Sequence, residues 1–237
     1  MQKNINYLTD LVQQINFKNN FFELYINDDK KIIGIIGPSE CSISKMLSIE
    51  TIFQNILDLD FKIKFSYEKI LSYDVEKLYS NFSTFNTTSN DEIEVNYYIE
   101  NILVRTSIIW DLLAQICNIY WDKNVSIDKI YYKTFFNNNS QGKKAKSFAI
   151  KVNEYLTQND DDSVDNAKWK GNHLYLKEMR NAMTHRSSQN INSLTNFAQN
   201  IRLPFIYTLK RVIEDYHQVF LFLDEIFVEI KRTFIDE

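Results

Sequence analysis

PFIYTLKRVIEDYHQVFLFLDEIFVEIKRTF, residues 204–234, decides the fold class. Ile206, Leu209, Ile213, Tyr216, Phe220, Leu223, Phe227, Ile230 and Phe234 recur at alternating intervals of three and four. That is the period at which one face of a helix stays apolar over roughly four heptads. Pro204 suits the first turn, where a missing N–H costs nothing. So long an apolar stripe must lie along another helix. The candidate is Ile99, Ile102, Thr106, Ile109, Leu113, Ile116 and Tyr120, which keeps the same spacing. His217, beside the first stripe, reads as structural, and the charges Arg105 and Asp111 read as facing outward.

Working outward, breakers are scarce. The 237 residues contain four glycines and two prolines, while 44% are hydrophobic and 14% aromatic. This composition disfavours disorder and the turn-rich sandwiches and barrels, and it leaves an all-α, antiparallel helical bundle as the expected class. Helical spacing covers Ile5–Phe17, Ser42–Leu59 and Tyr67–Phe82. The segments Phe21–Ile26 and Lys31–Ile36 flank a turn-like run and are compatible with one short β-hairpin. Gly34-Ile35-Ile36-Gly37-Pro38-Ser39 lacks the lysine and spacing of a phosphate-cradling loop and reads as a turn. The capping residues at Asn86–Asp91 mark the clearest internal boundary. They divide an N-terminal extension, 1–90, helical with the hairpin, from a helical bundle, 91–237.

Asp128–Phe136 and Lys143–Leu156 read as two shorter helices. A further helix is expected to begin near Ser163 or Asp165, after the acidic run Asp160-Asp161-Asp162, and to end shortly after Arg186. Consecutive carboxylates in a loop point apart, so that run reads as solvated rather than metal-binding. Cys41 and Cys117 form no C-x-x-C unit, which indicates buried thiols and no zinc or redox site. No metal or cofactor is expected. The first residues lack a charged region followed by an apolar run, and no eighteen apolar residues stand together. The expected location is the cytoplasm, with no membrane contact.

The scarcest chemistry is concentrated in Glu178-Met179-Arg180-Asn181-Ala182-Met183-Thr184-His185-Arg186, in a chain with three histidines. On an ideal helix Asn181 and His185 lie about 40° apart, so the carboxamide can reach the imidazole and fix its tautomer. Arg180 and His185 diverge by about 140°. They converge on one phosphate only if the helix ends or distorts here, or if a second copy supplies the missing partner. The same residues also suit a plain helix C terminus, where cationic side chains bond the last carbonyls.

The run Arg-Asn-x-x-x-His at Arg180, Asn181 and His185 resembles the signature of the HEPN superfamily. The motif covers six residues, and the resemblance extends more loosely from about Asn96 to the C terminus. It implies a HEPN-like helical bundle that dimerises and a metal-independent ribonuclease of a toxin–antitoxin, abortive-infection or CRISPR-associated system. An antitoxin or other regulatory partner goes with that setting. RNA carries its own nucleophile in the 2′-hydroxyl, so cleavage requires a proton acceptor or donor, here His185, and a cation near the phosphorane, here Arg180. Asn181 would orient either. The net charge is −4, which excludes coating nucleic acid by bulk electrostatics. The window Lys129–Arg186 is nonetheless +5 and the remainder −9. Lys143, Lys144, Lys146, Lys168, Lys170 and Lys177 offer RNA a path toward Arg180 and Arg186. Lys177 and Arg186 are the nearest candidate RNA contacts. Two other functions are compatible with the residues: a non-catalytic helical module acting by dimerisation or partner binding, and a nucleotide-binding sensor.

Overall fold

The computed structural model describes residues 1–17, 40–84, 87–159, 169–184, 193–195, 198–200 and 202–235. The protein is an all-α helical bundle. Its elements in order are α1 (Gln2–Gln14), α2 (Glu40–Leu71), α3 (Val75–Asn81), α4 (Asn90–Tyr120), α5 (Tyr132–Asn139), α6 (Ser147–Leu156), α7 (Asn172–Thr184), β1 (Ser193–Thr195), β2 (Ala198–Asn200) and α8 (Phe205–Ile235). Residues 21–36, where the hairpin was expected, lie outside the described residues except in sequence. A hairpin occurs elsewhere: β1 and β2 pair antiparallel with Ser193 opposite Asn200 and Thr195 opposite Ala198. Two strands of three residues are too short to show a period of two in sequence.

Several expected boundaries move; the helix expected over Tyr67–Phe82 is the end of α2 and, after a break at 72–74, α3. The helices expected at Ser42–Leu59 and from Tyr67 are one continuous α2, because Ile49, Ile52, Phe53, Ile56, Ile63, Tyr67 and Ile70 carry one buried stripe through the junction. No glycine or proline interrupts it. Asp60 holds a stripe position and is buried with Ile56 and Ile63, where its carboxylate accepts the Tyr216 hydroxyl. A charge read as polar is thus a core residue with a partner. The helix bearing Arg180 starts at Asn172, later than the expected Ser163 or Asp165. Gly171 just before it has φ of 69°, a left-handed conformation that glycine adopts without a Cβ penalty, and its carbonyl accepts the Tyr175 N–H.

The capping run expected at Asn86–Asp91 does start a helix. Ser89 Oγ accepts the Glu92 N–H, and Asp91 and Glu92 lie in the first turn, where carboxylates favour the positive end of the helix. Asp74 likewise caps α3 by accepting the Lys77 N–H.

The chain forms two compact units. The first comprises Met1–Gln14, Asp60–Ser107 and Glu154–Gln218, and the second Ile15–Leu59, Ile108–Asn153 and Val219–Glu237. In the second, the stripes of α4 and α8 meet as the spacing predicts: Trp110 is fully buried with its ring 5.9 Å from Phe222, and the Tyr120 and Thr233 hydroxyls bond at 2.9 Å. Those two contacts place α4 and α8 side by side in the same direction. Phe53 packs edge to face on Phe227 at 5.3 Å, and Phe148 on Phe222 at 5.9 Å. Cys117 is a buried free thiol there, and burial pushes its pKa up, which makes it inert.

In the first unit, Leu8, Ile63, Ile70, Val95, Ile99, Ile102, Leu209 and Ile213 form the centre. Arg202, buried at the entry to α8, pairs with Glu92 at 3.2 Å and donates to Ser83 and Thr88. By length and composition α4 could cross a membrane, yet 61% of its apolar window is buried inside the protein, as in a core helix. Arg105 and Asp111, expected to face outward, are half-buried; Arg105 bonds Asn101, and Asp111 accepts the Tyr132 N–H.

Candidate functional site

The faces of α7 divide its chemistry in two. Asn172, His173, Leu176 and Met179 recur at three to four residues and are buried, so this stripe faces the core. Lys177 and Asn181 occupy another flank, while Arg180, four positions beyond Leu176 and seven beyond His173, lies along the core stripe near the end of the helix. Arg180 and Asn181 lie three and four positions beyond Lys177, about 60° and 40° to either side of it. Lys177 and Arg180 are half-buried and Asn181 is exposed. The carboxamide is therefore open to solvent, and the motif arginine is partly so. His185 and Arg186 lie outside the described residues, as do Asp160–Asp162 and Lys168. Of the remaining lysines in the basic window, Lys143, Lys144 and Lys146 are exposed in the second unit, and Lys170 and Lys177 belong to the first.

The core stripe of α7 is held by a buried polar cluster that sequence reading missed. Glu214 of α8 is fully buried and accepts from the Trp169 backbone N–H at 3.1 Å, Asn172 Nδ2 at 2.8 Å, Tyr7 at 3.0 Å and Lys210 at 2.8 Å. Asp215 accepts the Tyr155 hydroxyl at 2.8 Å and faces His173 Nδ1 at 3.3 Å. Lys210 Nζ sits 4.0 Å over the Trp169 ring. The Arg211 guanidinium stacks against Trp169, Tyr175 and Tyr207 at 4.6–5.0 Å and donates to the Tyr207 hydroxyl. Two cations and two carboxylates thus balance in a dry site, which makes the cluster tolerable. The contacts Asn172 to Glu214 and Tyr175 to Thr208 run α7 antiparallel to the first half of α8.

The signal was present in Lys210-Arg211 and Glu214-Asp215, two opposite-charge pairs at i,i+4 inside the helix with the longest apolar stripe. His173, nine-tenths buried, has no room for substrate, so this cluster positions α7 and does no chemistry. His217 is half-buried and has a partner within the protein, in keeping with a structural role. Among the described residues, no three of His, Cys, Asp or Glu are grouped to hold a metal ion.

Three tyrosines share one design. Burial, reinforced by the carboxylate each donates to, raises the pKa of Tyr7 beside Glu214, Tyr155 beside Asp215 and Tyr216 beside Asp60. A raised folded pKa means the stabilisation is complete below the unfolded value near 10 and is lost as pH climbs toward the folded values. The urea midpoint should therefore hold steady up to about pH 10 and fall beyond it. Tyr155→Phe should lower the midpoint at neutral pH and flatten its alkaline decline; an alkaline slope identical to the parent's would refute the assignment.

No family model, curated protein or solved structure matches the chain.

Proposed function

We propose that this protein is a metal-independent, HEPN-type endoribonuclease, acting in the cytoplasm as a toxin or phage-defence effector restrained by an antitoxin or regulatory partner. The observation that carries the reading is that, near the end of an α7 whose first turn is firmly anchored, Asn181 is exposed and Arg180 only partly buried. The Arg-Asn-x-x-x-His run thus leaves its first two members at least partly open to a phosphodiester, in an all-helical protein.

In the reaction, the 2′-oxygen attacks phosphorus and the bond from phosphorus to the 5′-oxygen breaks. One proton leaves the 2′-hydroxyl and one arrives at the 5′-oxygen. His185 serves one of these transfers, Asn181 orients it, and Arg180 binds the non-bridging oxygens through two parallel N–H bonds as their charge grows. The products are a 2′,3′-cyclic phosphate and a 5′-hydroxyl, and DNA, lacking the nucleophile, is inert. On a straight helix Arg180 and His185 would diverge by about 140°, so the active form is taken to be a homodimer that brings Arg180 of one subunit to His185 of the other across a twofold axis.

The test is incubation of labelled single-stranded RNA with the purified protein in EDTA, alongside His185→Ala. Cleavage to cyclic phosphate by the parent alone supports the reading. Absence of cleavage by the parent, with and without candidate partners, favours the second reading, a non-catalytic helical interaction module. That alternative draws on the sealing of α7's own histidine, His173, in the core.

A further inference from the structure

The first unit carries an aromatic surface that packing leaves open. Phe61 and Phe65, one turn apart on α2, are 68% and 47% exposed, and Tyr97 of α4 is 60% exposed. Together with Tyr98, whose ring meets Tyr97 edge to face at 5.4 Å, they line a cavity of about 260 Å³. Its charged members are Lys62 and Arg105, and no carboxylate lines it. The Arg105 guanidinium is pre-positioned by bonds to the Asn101 carbonyl at 2.9 Å and side-chain oxygen at 2.8 Å, both neutral acceptors. Lys69 Nζ stands 5.2 Å from the Phe65 ring. The nearby carboxylate of Glu94 is engaged by the Tyr73 hydroxyl, which that bond pushes up to a pKa of about 12.

Exposed rings interleaved with cations are what a single strand of nucleic acid requires: flat faces for bases and positive charge for the phosphates between them. A protein partner would also favour the rings and Arg105, but not Lys62, since lysine is depleted from interface cores. The cavity is of the size of one base. We infer that this α2–α4 surface binds a segment of single-stranded RNA outside the cleavage site, stacking bases on Phe61, Phe65 and Tyr97 and holding phosphates with Lys62 and Arg105. The inference rests on the ribonuclease reading for its choice of RNA, and makes the surface a substrate-holding site of that enzyme.

The experiment measures binding apart from cleavage. Fluorescence anisotropy of a short labelled oligouridylate is followed with full-length His185→Ala as the parent. Adding Phe65→Ala or Tyr97→Ala should weaken binding about tenfold each. Tyr97→Phe, which keeps the ring, should restore affinity and so excludes unfolding as the cause. Arg105→Ala should reduce the slope of log affinity against log salt by about 0.7. Affinity unchanged in Tyr97→Ala and Arg105→Ala overturns the inference. So does a shift of these variants in sedimentation without loss of RNA, which would mark a surface between copies of the chain. Normal cleavage by a protein whose aromatic variants bind normally would sink the surface and spare the ribonuclease; tight, ring-dependent binding without any cleavage by wild type would do the reverse.

Discussion

Arg180→Ala should cleave single-stranded RNA about a thousandfold more slowly than the parent, the scale of removing one preorganised donor from developing oxyanion charge. Its melting curve should hardly move. Arg180 is half-buried, so truncating it removes no fully buried side chain. Arg180→Lys should recover little, because an ammonium cannot reproduce two parallel bonds to a phosphate. The composite site makes a sharper claim. Neither Arg180→Ala nor His185→Ala alone can form an Arg–His pair, but a mixed dimer has Arg180 on one subunit facing His185 on the other. Half of randomly mixed dimers then hold one of two pairs, and activity should return to about a quarter of the parent's if each pair works independently. No recovery on mixing, with mixed dimers demonstrated, would place both groups in one subunit. Full activity of purified Arg180→Ala would remove the site altogether.

The fold class was legible because two long stripes outlast every competing signal. Ile99 to Ile116 are buried at every position that spacing selects and Ile206 to Ile230 at all but the half-buried Phe220, and Trp110 against Phe222 confirms that those two helices meet. The errors have one cause. Sequence patterning treats charge as surface, whereas Asp60, Arg202, Lys210, Arg211, Glu214 and Asp215 are all buried. Each has a partner far along the chain: Asp60 finds Tyr216, Arg202 finds Glu92, and Glu214 finds Tyr7. No local window contains both halves of such a pair. The continuity of α2 and the late start of α7 follow from the same blindness, since Asp60 resembles an interruption and Gly171 becomes a helix entry only through its φ.

The site was half legible for a related reason. Arg180 and Asn181 were singled out because scarce residue types stood close together, and the structure leaves Asn181 exposed and Arg180 partly buried. His173 escaped notice because its partner Asp215 is 42 positions away. Spacing alone ranked the stripe of α8 as purely apolar packing, while its first half also carries the ionic anchor of α7. The helix that gives the fold its length therefore also fixes the azimuth at which Arg180 is presented.

That anchor supplies the largest expected stability effect. Glu214→Ala should cost about 3–5 kcal/mol, the usual consequence of removing one member of a buried ionic set and leaving the others uncompensated. The Asn172 carboxamide, the Trp169 N–H, the Tyr7 hydroxyl and the Lys210 ammonium would all lose their acceptor in a site from which water is excluded. Glu214→Gln keeps an oxygen for two of those donors but no charge for Lys210, so its midpoint should fall between parent and alanine variant. Lys210→Met in the Glu214→Ala background should recover part of the loss by withdrawing the stranded cation, giving a coupling between the two sites that independent residues would not show. Urea denaturation of these four proteins and of Lys210→Met alone measures all of this. Since Asn172 and Trp169 fix the start of α7, the surviving folded Glu214→Gln should also cleave RNA more slowly while retaining Arg180 and His185. A midpoint shift below about 1 kcal/mol for Glu214→Ala would mean that water enters the cluster, and the anchoring of α7 would then have to come from Leu176 and Met179 alone.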